Sequence, residues 1–372
     1  MGATPARLAT RFSIITPVVG VPLVAFTWGS DLSPFAAAVL AVVHVALVLV
    51  SVGHAEAIAH RVGEPFGTLV LAVAVTVIEV SLVVTLMISE GPKAATLARD
   101  TVFAVVMIVC NGMVGLAVLI RARRSHLVTF SEQGANALLG TVLTITTLSL
   151  VLPSFTRSTA DATFTPAQLA FSAVVAAAMY GVFVFVQTGS HRWMFLSPEA
   201  LEDEADDEFA HVEPHAARDG RAEGLLSRTA LLVTGLVGVV GLAKTLSPSI
   251  EDAIVWAGAP PSFVGVVIAL MILLPESIAA LRAASRGEMQ TSLNLSLGSA
   301  LASIGLTIPA IAVASIWLDG PIVLGLGPIE VVLLAITAVI GTLTFGSGRA
   351  TVVQGVQHLV LFAAFVFLAI FP

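Results

Sequence analysis

Apolar runs close to the length of a bilayer's hydrocarbon core recur along this chain, and that recurrence limits its fold more than any other feature. A helix needs ~20 predominantly apolar residues to cross. Such runs fall at about 12–28, 35–53, 67–88, 100–120, 135–153, 166–188, 228–246, 261–281, 291–317, 328–346 and 351–371. They predict an all-α polytopic membrane protein with eleven spans. Composition agrees: of 372 residues 57% are hydrophobic and only 11% charged, against roughly 25% charged in a soluble domain. Arg7 and Arg11 ahead of the first run raise a signal peptide, but no A-x-A site follows Phe26-Thr27-Trp28 and the run holds Pro17 and Pro22, so an uncleaved, kinked span is expected. Cys110 is the single cysteine, which excludes an intrachain disulfide and a thiolate metal cluster.

Lys and Arg set the orientation. With a cytoplasmic N-terminus, thirteen of the 17 basic residues fall on that side, and only Lys93, Arg99, Arg157 and Lys244 on the other. The one extended hydrophilic segment, 189–228, holds ten acids and four arginines and is then cytoplasmic. Ser197-Pro198 reads as a helix start, with Glu199 where the dipole favours negative charge. The segment divides the chain into a leading helix (1–34), a first five-helix repeat (35–188), an acidic linker (189–227) and a second five-helix repeat (228–372). Units of odd span number enter the membrane in opposite directions, the arrangement of inverted repeats in secondary transporters.

Chemistry recurs at matching places in the two repeats. GTLVLAVAVTVIEVSL carries Gly67 and Glu79; GVVIALMILLPESIAAL carries Gly265 and Glu276. An acid at bilayer depth costs several kcal/mol, about 2.5 to 3.5 on insertion scales, and is a functional candidate by default. Two carboxylates sharing a site of low dielectric must take up protons or a cation. Calcium wants six to eight oxygens; Asn111, Ser299 and Ser303 in the following spans add side-chain oxygens, and Pro275 frees a backbone carbonyl beside Glu276. A site holding either protons or a cation while it crosses is that of an antiporter. The alternative is that each Glu is a satisfied polar group tying helices together.

Other residues carry weaker signals. Glu64 and Glu330 stand at mouths of spans, where they relay ions or merely cap helices. His358, in the last span, is a pH-responsive group or a helix–helix hydrogen bond, and His44 reads as structural. In the linker, Glu202, Asp203, Glu204, Asp206, Asp207 and Glu208 are candidates for cation sensing, although they lack the EF-hand glycine.

The stretches AHRVGEPFGTLVLAVAVTVIEVSL, AAMYGVFVFVQT, LLPES, NLSLGSALASIGLTIP and GRATVVQGVQHLVLFAAF, with the acidic linker, closely resemble the bacterial cation/proton exchanger branch of the calcium/cation antiporter superfamily, from about residue 50 onward. The resemblance implies an eleven-helix exchanger of inverted repeats, alternating access, and export of cytoplasmic cations driven by proton entry. The family's central glutamates fall on Glu79 and Glu276. Vacuolar members carry GNAxE around their acids, whereas Val77-Ile78 and Leu274-Pro275 precede them here, so sodium or potassium stays open beside calcium. The expected partners are the lipid bilayer of the bacterial inner membrane and inorganic cations, with no cofactor and no nucleic acid. An enzyme is disfavoured: intramembrane aspartyl proteases need two aspartates at depth, and only Asp100, at a span boundary, is near. A channel selecting cations by acid rings fits the inverted repeat less well than alternating access.

Overall fold

The computed structural model describes residues 5–30, 32–62, 66–90, 95–159, 161–189, 191–196, 223–260, 263–317 and 321–372. Among these, eleven long helices follow one another: α1 (Pro5–Thr27), α2 (Pro34–Val62), α3 (Phe66–Glu90), α4 (Leu97–Ala122), α5 (Glu132–Ser154), α6 (Pro166–Thr188), α7 (Glu223–Trp256), α8 (Phe263–Arg286), α9 (Met289–Ala314), α10 (Pro328–Phe345) and α11 (Val352–Ile370). Nine of them are long and apolar enough to cross a membrane, and α1 and α3 hold the shorter apolar stretches Phe12–Thr27 and Thr76–Thr85. Pro34, Pro166 and Pro328 open α2, α6 and α10, where a missing N–H is harmless and the fixed φ suits a helix. The chain is a multi-pass helical membrane protein.

The helices gather into two compact units, Met1–Gly91 with Arg218–Val264 and Pro92–Ala217 with Gly265–Pro372. In the first, α7 packs on α1, α2 and α3, around Leu40, Leu47, Val52, Val239, Leu242 and Leu246. Glycine permits the close approach. A Cβ at Gly238 would lie 2.7 Å from Leu47 Cδ2, and one at Gly241 2.5 Å from Val24 Cγ1, well inside van der Waals contact.

The second unit centres on α4, which is buried along most of its length and, from Val102 to Ile120, apolar on every face but for Asn111, as a core helix must be. Within it, α4–α6 and α9–α11 mirror each other. α4 packs on α11, and α9 on α6. Strand β1 (Val128–Thr129), between α4 and α5, pairs with β2 (Arg349–Ala350), between α10 and α11. Reciprocally, Thr163, between α5 and α6, bridges Val323, between α9 and α10. α6 and α11 open with the same capping box: Gln168 returns its Oε1 to the N–H of Thr165, and Gln354 to that of Thr351, both at 2.9 Å. The outward faces of these two helices show Phe171, Val174 and Phe185, and Val353, Val360 and Phe367, as lipid contact requires.

The mirror is imperfect. α4 contains a π-helical turn at Ile108–Met113 and α5 one at Thr147–Val151, while α9 and α10 are α-helical throughout. Span ends also differ from the hydropathy runs. α2 continues past residue 53 to Val62 and α7 past residue 246 to Trp256, because a helix keeps its backbone bonded beyond the lipid, and Pro248 interrupts only one of those bonds.

Candidate functional site

The two acids occupy equivalent positions. Glu79 stands thirteen residues after Phe66, the first residue of α3, and Glu276 thirteen after Phe263, the first of α8. Glu79 is buried, with 1% of its surface exposed; Glu276 is half-buried. Glu79 belongs to the first unit and Glu276 to the second. Pro275, inside α8, has no N–H, which leaves the carbonyl four residues earlier, at Met271, without its helical donor.

One helix further on the correspondence continues. Asn111 lies fourteen residues after Leu97 of α4, and Ser303 fourteen after Met289 of α9. Asn111 sits within the π turn of α4 and is fully buried. Its Nδ2 donates to Thr337 Oγ1 of α10 at 2.9 Å, with Met107 Sδ 3.8 Å away. Its Oδ1 lies 3.2 Å from His358 Nδ1 of α11. A carboxamide oxygen only accepts, so Nδ1 carries the proton. A neutral ring then accepts at Nε2 from the Thr344 hydroxyl, 3.0 Å away, and Phe345 stacks on it. π turns recur at functional sites because they expose backbone groups that a regular helix would consume.

The structure thus brings Asn111 and His358 together, through the helix–helix hydrogen bond that was one of the two readings of the histidine. Thr337 and Thr344 complete the network and were missed; as hydroxyls inside an apolar span they carried a readable signal. Ser303 is buried and Ser299 half-buried on α9. Asn294, nearer the start of that helix, is held by Gln290 Nε2 at 2.9 Å and donates to Phe195 O at 2.7 Å. Glu330 lies half-buried in the first turn of α10, where the helix dipole favours an acid. His44 is buried on α2, and neither ring nitrogen has a partner among the described residues. Glu64, Ser197, Pro198, Glu199 and the acids Glu202, Asp203, Glu204, Asp206, Asp207 and Glu208 lie outside the described residues.

Mid-span acids in paired positions, a proline that removes one helical bond beside one of them and buried polar links between spans are features of a membrane transporter. The profile of the sodium/calcium exchanger protein family matches residues 32–189 and 227–371, and the chain belongs to that family. It is 42% identical over 365 residues to the protein y4hA of Sinorhizobium fredii (strain NBRC 101917 / NGR234), covering 97% of this chain and 96% of the relative. It is 34% identical over 362 residues to the sodium-potassium/proton antiporter ChaA of Escherichia coli (strain K12), covering 95% and 94%. In fold it is similar to the crystal structure of the H+/Ca2+ exchanger CAX, with a TM-score of 0.69 at 15% identity over 95% of this chain and 87% of that one.

Proposed function

We propose that this chain is a cation/proton antiporter of the bacterial cytoplasmic membrane. It works by alternating access, with a cytoplasmic N-terminus, and exports calcium together with sodium or potassium as protons enter. The observation that carries the reading is the 34% identity, across 95% of the chain, to a sodium-potassium/proton antiporter. Glu79 and Glu276 are the exchanging carboxylates. Each holds a proton or helps to hold a cation, because an unneutralised charge inside the membrane is too costly to persist. Calcium is supported by the chemistry of the donors, carboxylate, carbonyl and hydroxyl oxygens, which suit a hard cation. The orientation rests on the distribution of Lys and Arg.

The activity named for the Escherichia coli relative favours a second reading, in which sodium and potassium are exchanged for protons and calcium hardly at all. Everted vesicles carrying the protein separate the two. Addition of calcium, sodium and potassium in turn to acid-loaded vesicles should release protons for all three. Release with sodium and potassium only gives the monovalent reading, and release with none overturns antiport.

A further inference from the structure

Hydroxyls within the helices of this protein generally bond back to their own backbone. Thr141, Thr146, Thr188, Thr245, Ser296 and Thr342 each donate to the carbonyl four residues earlier, at 2.7 to 3.0 Å. That bond is what lets a hydroxyl sit in an apolar helix. Ser292 and Thr307 of α9 depart from the pattern. Both are completely buried, and neither hydroxyl has a partner among the described residues.

These two residues end a series, Ser292, Ser296, Ser299, Ser303 and Thr307. At 100° per residue the five fall within an arc of roughly 80°, and at 1.5 Å per residue they extend about 22 Å along the axis. The hydrocarbon core of a bilayer is ~30 Å thick, so the series covers most of it. Gly305 lies on the opposite side of α9, where a Cβ would come within 2.7 Å of Tyr180 Cβ; α6 therefore packs on the other face. Four of the five are buried and Ser299 is half-buried, so the row faces protein rather than lipid. α4, which also packs on α9, carries a third such hydroxyl: Thr101 is fully buried with no partner for Oγ1 among the described residues.

A buried hydroxyl with donor and acceptor both unused is destabilising unless something polar reaches it. Water is the species that uses both, given two to four polar partners, and this row offers a hydroxyl at every turn. We propose that the hydroxyl face of α9 binds a file of water molecules and conducts protons along it, from Ser292 at one end and Thr307 at the other, to Ser299 and Ser303 at its middle. The inference rests on the antiport reading and supplies the proton's route in that cycle. The Ser292 and Thr307 hydroxyls each accept a proton from one neighbouring water as they release their own to the next, so one O–H bond forms for each that breaks and no residue gains charge. Hydroxyls without a carboxylate bring no negative charge to replace a cation's hydration shell, which makes the outer parts of the row a path for protons and not for calcium or sodium. Delivery from both ends to the centre preserves coupling, since a path continuous through the membrane would leak.

The test uses the full chain reconstituted in liposomes, with Thr307→Val, which removes the hydroxyl at nearly constant volume, Ser292→Ala at the other end, and Thr307→Ser as the rescue. Two fluxes are measured: proton movement driven by a sodium or calcium gradient, read by a pH dye in the lumen, and isotopic self-exchange of the same cation, which needs no net proton transfer. Thr307→Val and Ser292→Ala should each slow the proton-coupled flux roughly tenfold, a rise of about 1.4 kcal/mol in the barrier, while self-exchange stays at the parental rate and Thr307→Ser restores coupling. An unchanged proton flux in both variants overturns the hydroxyl path. So does an equal fall in both fluxes, because the hydroxyls would then serve the cation or the fold. If the parent exchanges its cation but drives no protons, the antiport reading itself has failed.

Discussion

In α4–α6 the buried polar link between adjacent helices is a hydroxyl pair, Ser172 Oγ donating to Ser149 Oγ at 2.9 Å. At the corresponding place in α9–α11 it is His358 against Thr344, at 3.0 Å. Both linking residues stand seven positions after the threonine that caps their helix, Thr165 or Thr351. The hydroxyl pair ends there, whereas the imidazole has a second nitrogen and reaches on to Asn111 in the π turn of α4. One scaffold therefore carries a local tie on one side and a network joining three helices on the other. The repeat determines where a polar link stands, and the residue chosen there determines how far it reaches.

Asn111→Leu should break the comparison most severely. It takes one acceptor from His358, whose ring also bonds the Cys110 backbone, and the donor from Thr337, and a buried group so abandoned costs about 1 to 3 kcal/mol. The thermal midpoint of the purified protein should fall clearly below that of the parent. If it does not move, the network is not what holds α4, α10 and α11 together. The caps come next. Thr165→Ala and Thr351→Ala each remove one capping hydroxyl, with a cost near 1 kcal/mol, and because the boxes are equivalent the two midpoints should shift by similar amounts. A shift at one helix alone would show that the scaffold is not shared. Ser172→Ala should have the smallest effect, about 0.6 kcal/mol, the average for hydrogen bonds between spans. A loss as large as that of Asn111→Leu would erase the distinction between tie and network.

Much of this was readable in the chain. Eleven apolar runs became eleven helices because bilayer thickness imposes a length that hydropathy records directly. The equivalence of Glu79 and Glu276 was readable too, since each follows a span-opening glycine at nearly the same interval. The capping boxes were present as Thr-x-x-Gln at 165–168 and 351–354, a local signal that passed unnoticed between two long apolar runs. The Asn111 network was not readable in the same way. Its partners are 226 and 247 residues away, and no local pattern says which hydroxyls of α10 face α4. The two compact units were equally hidden, because α7 joins α1–α3 through glycine contacts such as Gly238 on Leu47, which depend on how the helices cross rather than on how apolar they are.

The central claim is that one carboxylate in each repeat exchanges a proton for a cation. It is tested most directly by reconstituting the parent, Glu79→Gln and Glu276→Gln in liposomes, imposing a gradient of sodium or calcium, and recording proton movement in the opposite direction. Glutamine keeps the shape of each side chain but can neither bind the transported proton nor neutralise a cation. The account predicts proton counterflow in the parent and none in either variant, with all three proteins folded and of similar thermal midpoint. Counterflow at the parental rate in either glutamine variant would contradict it.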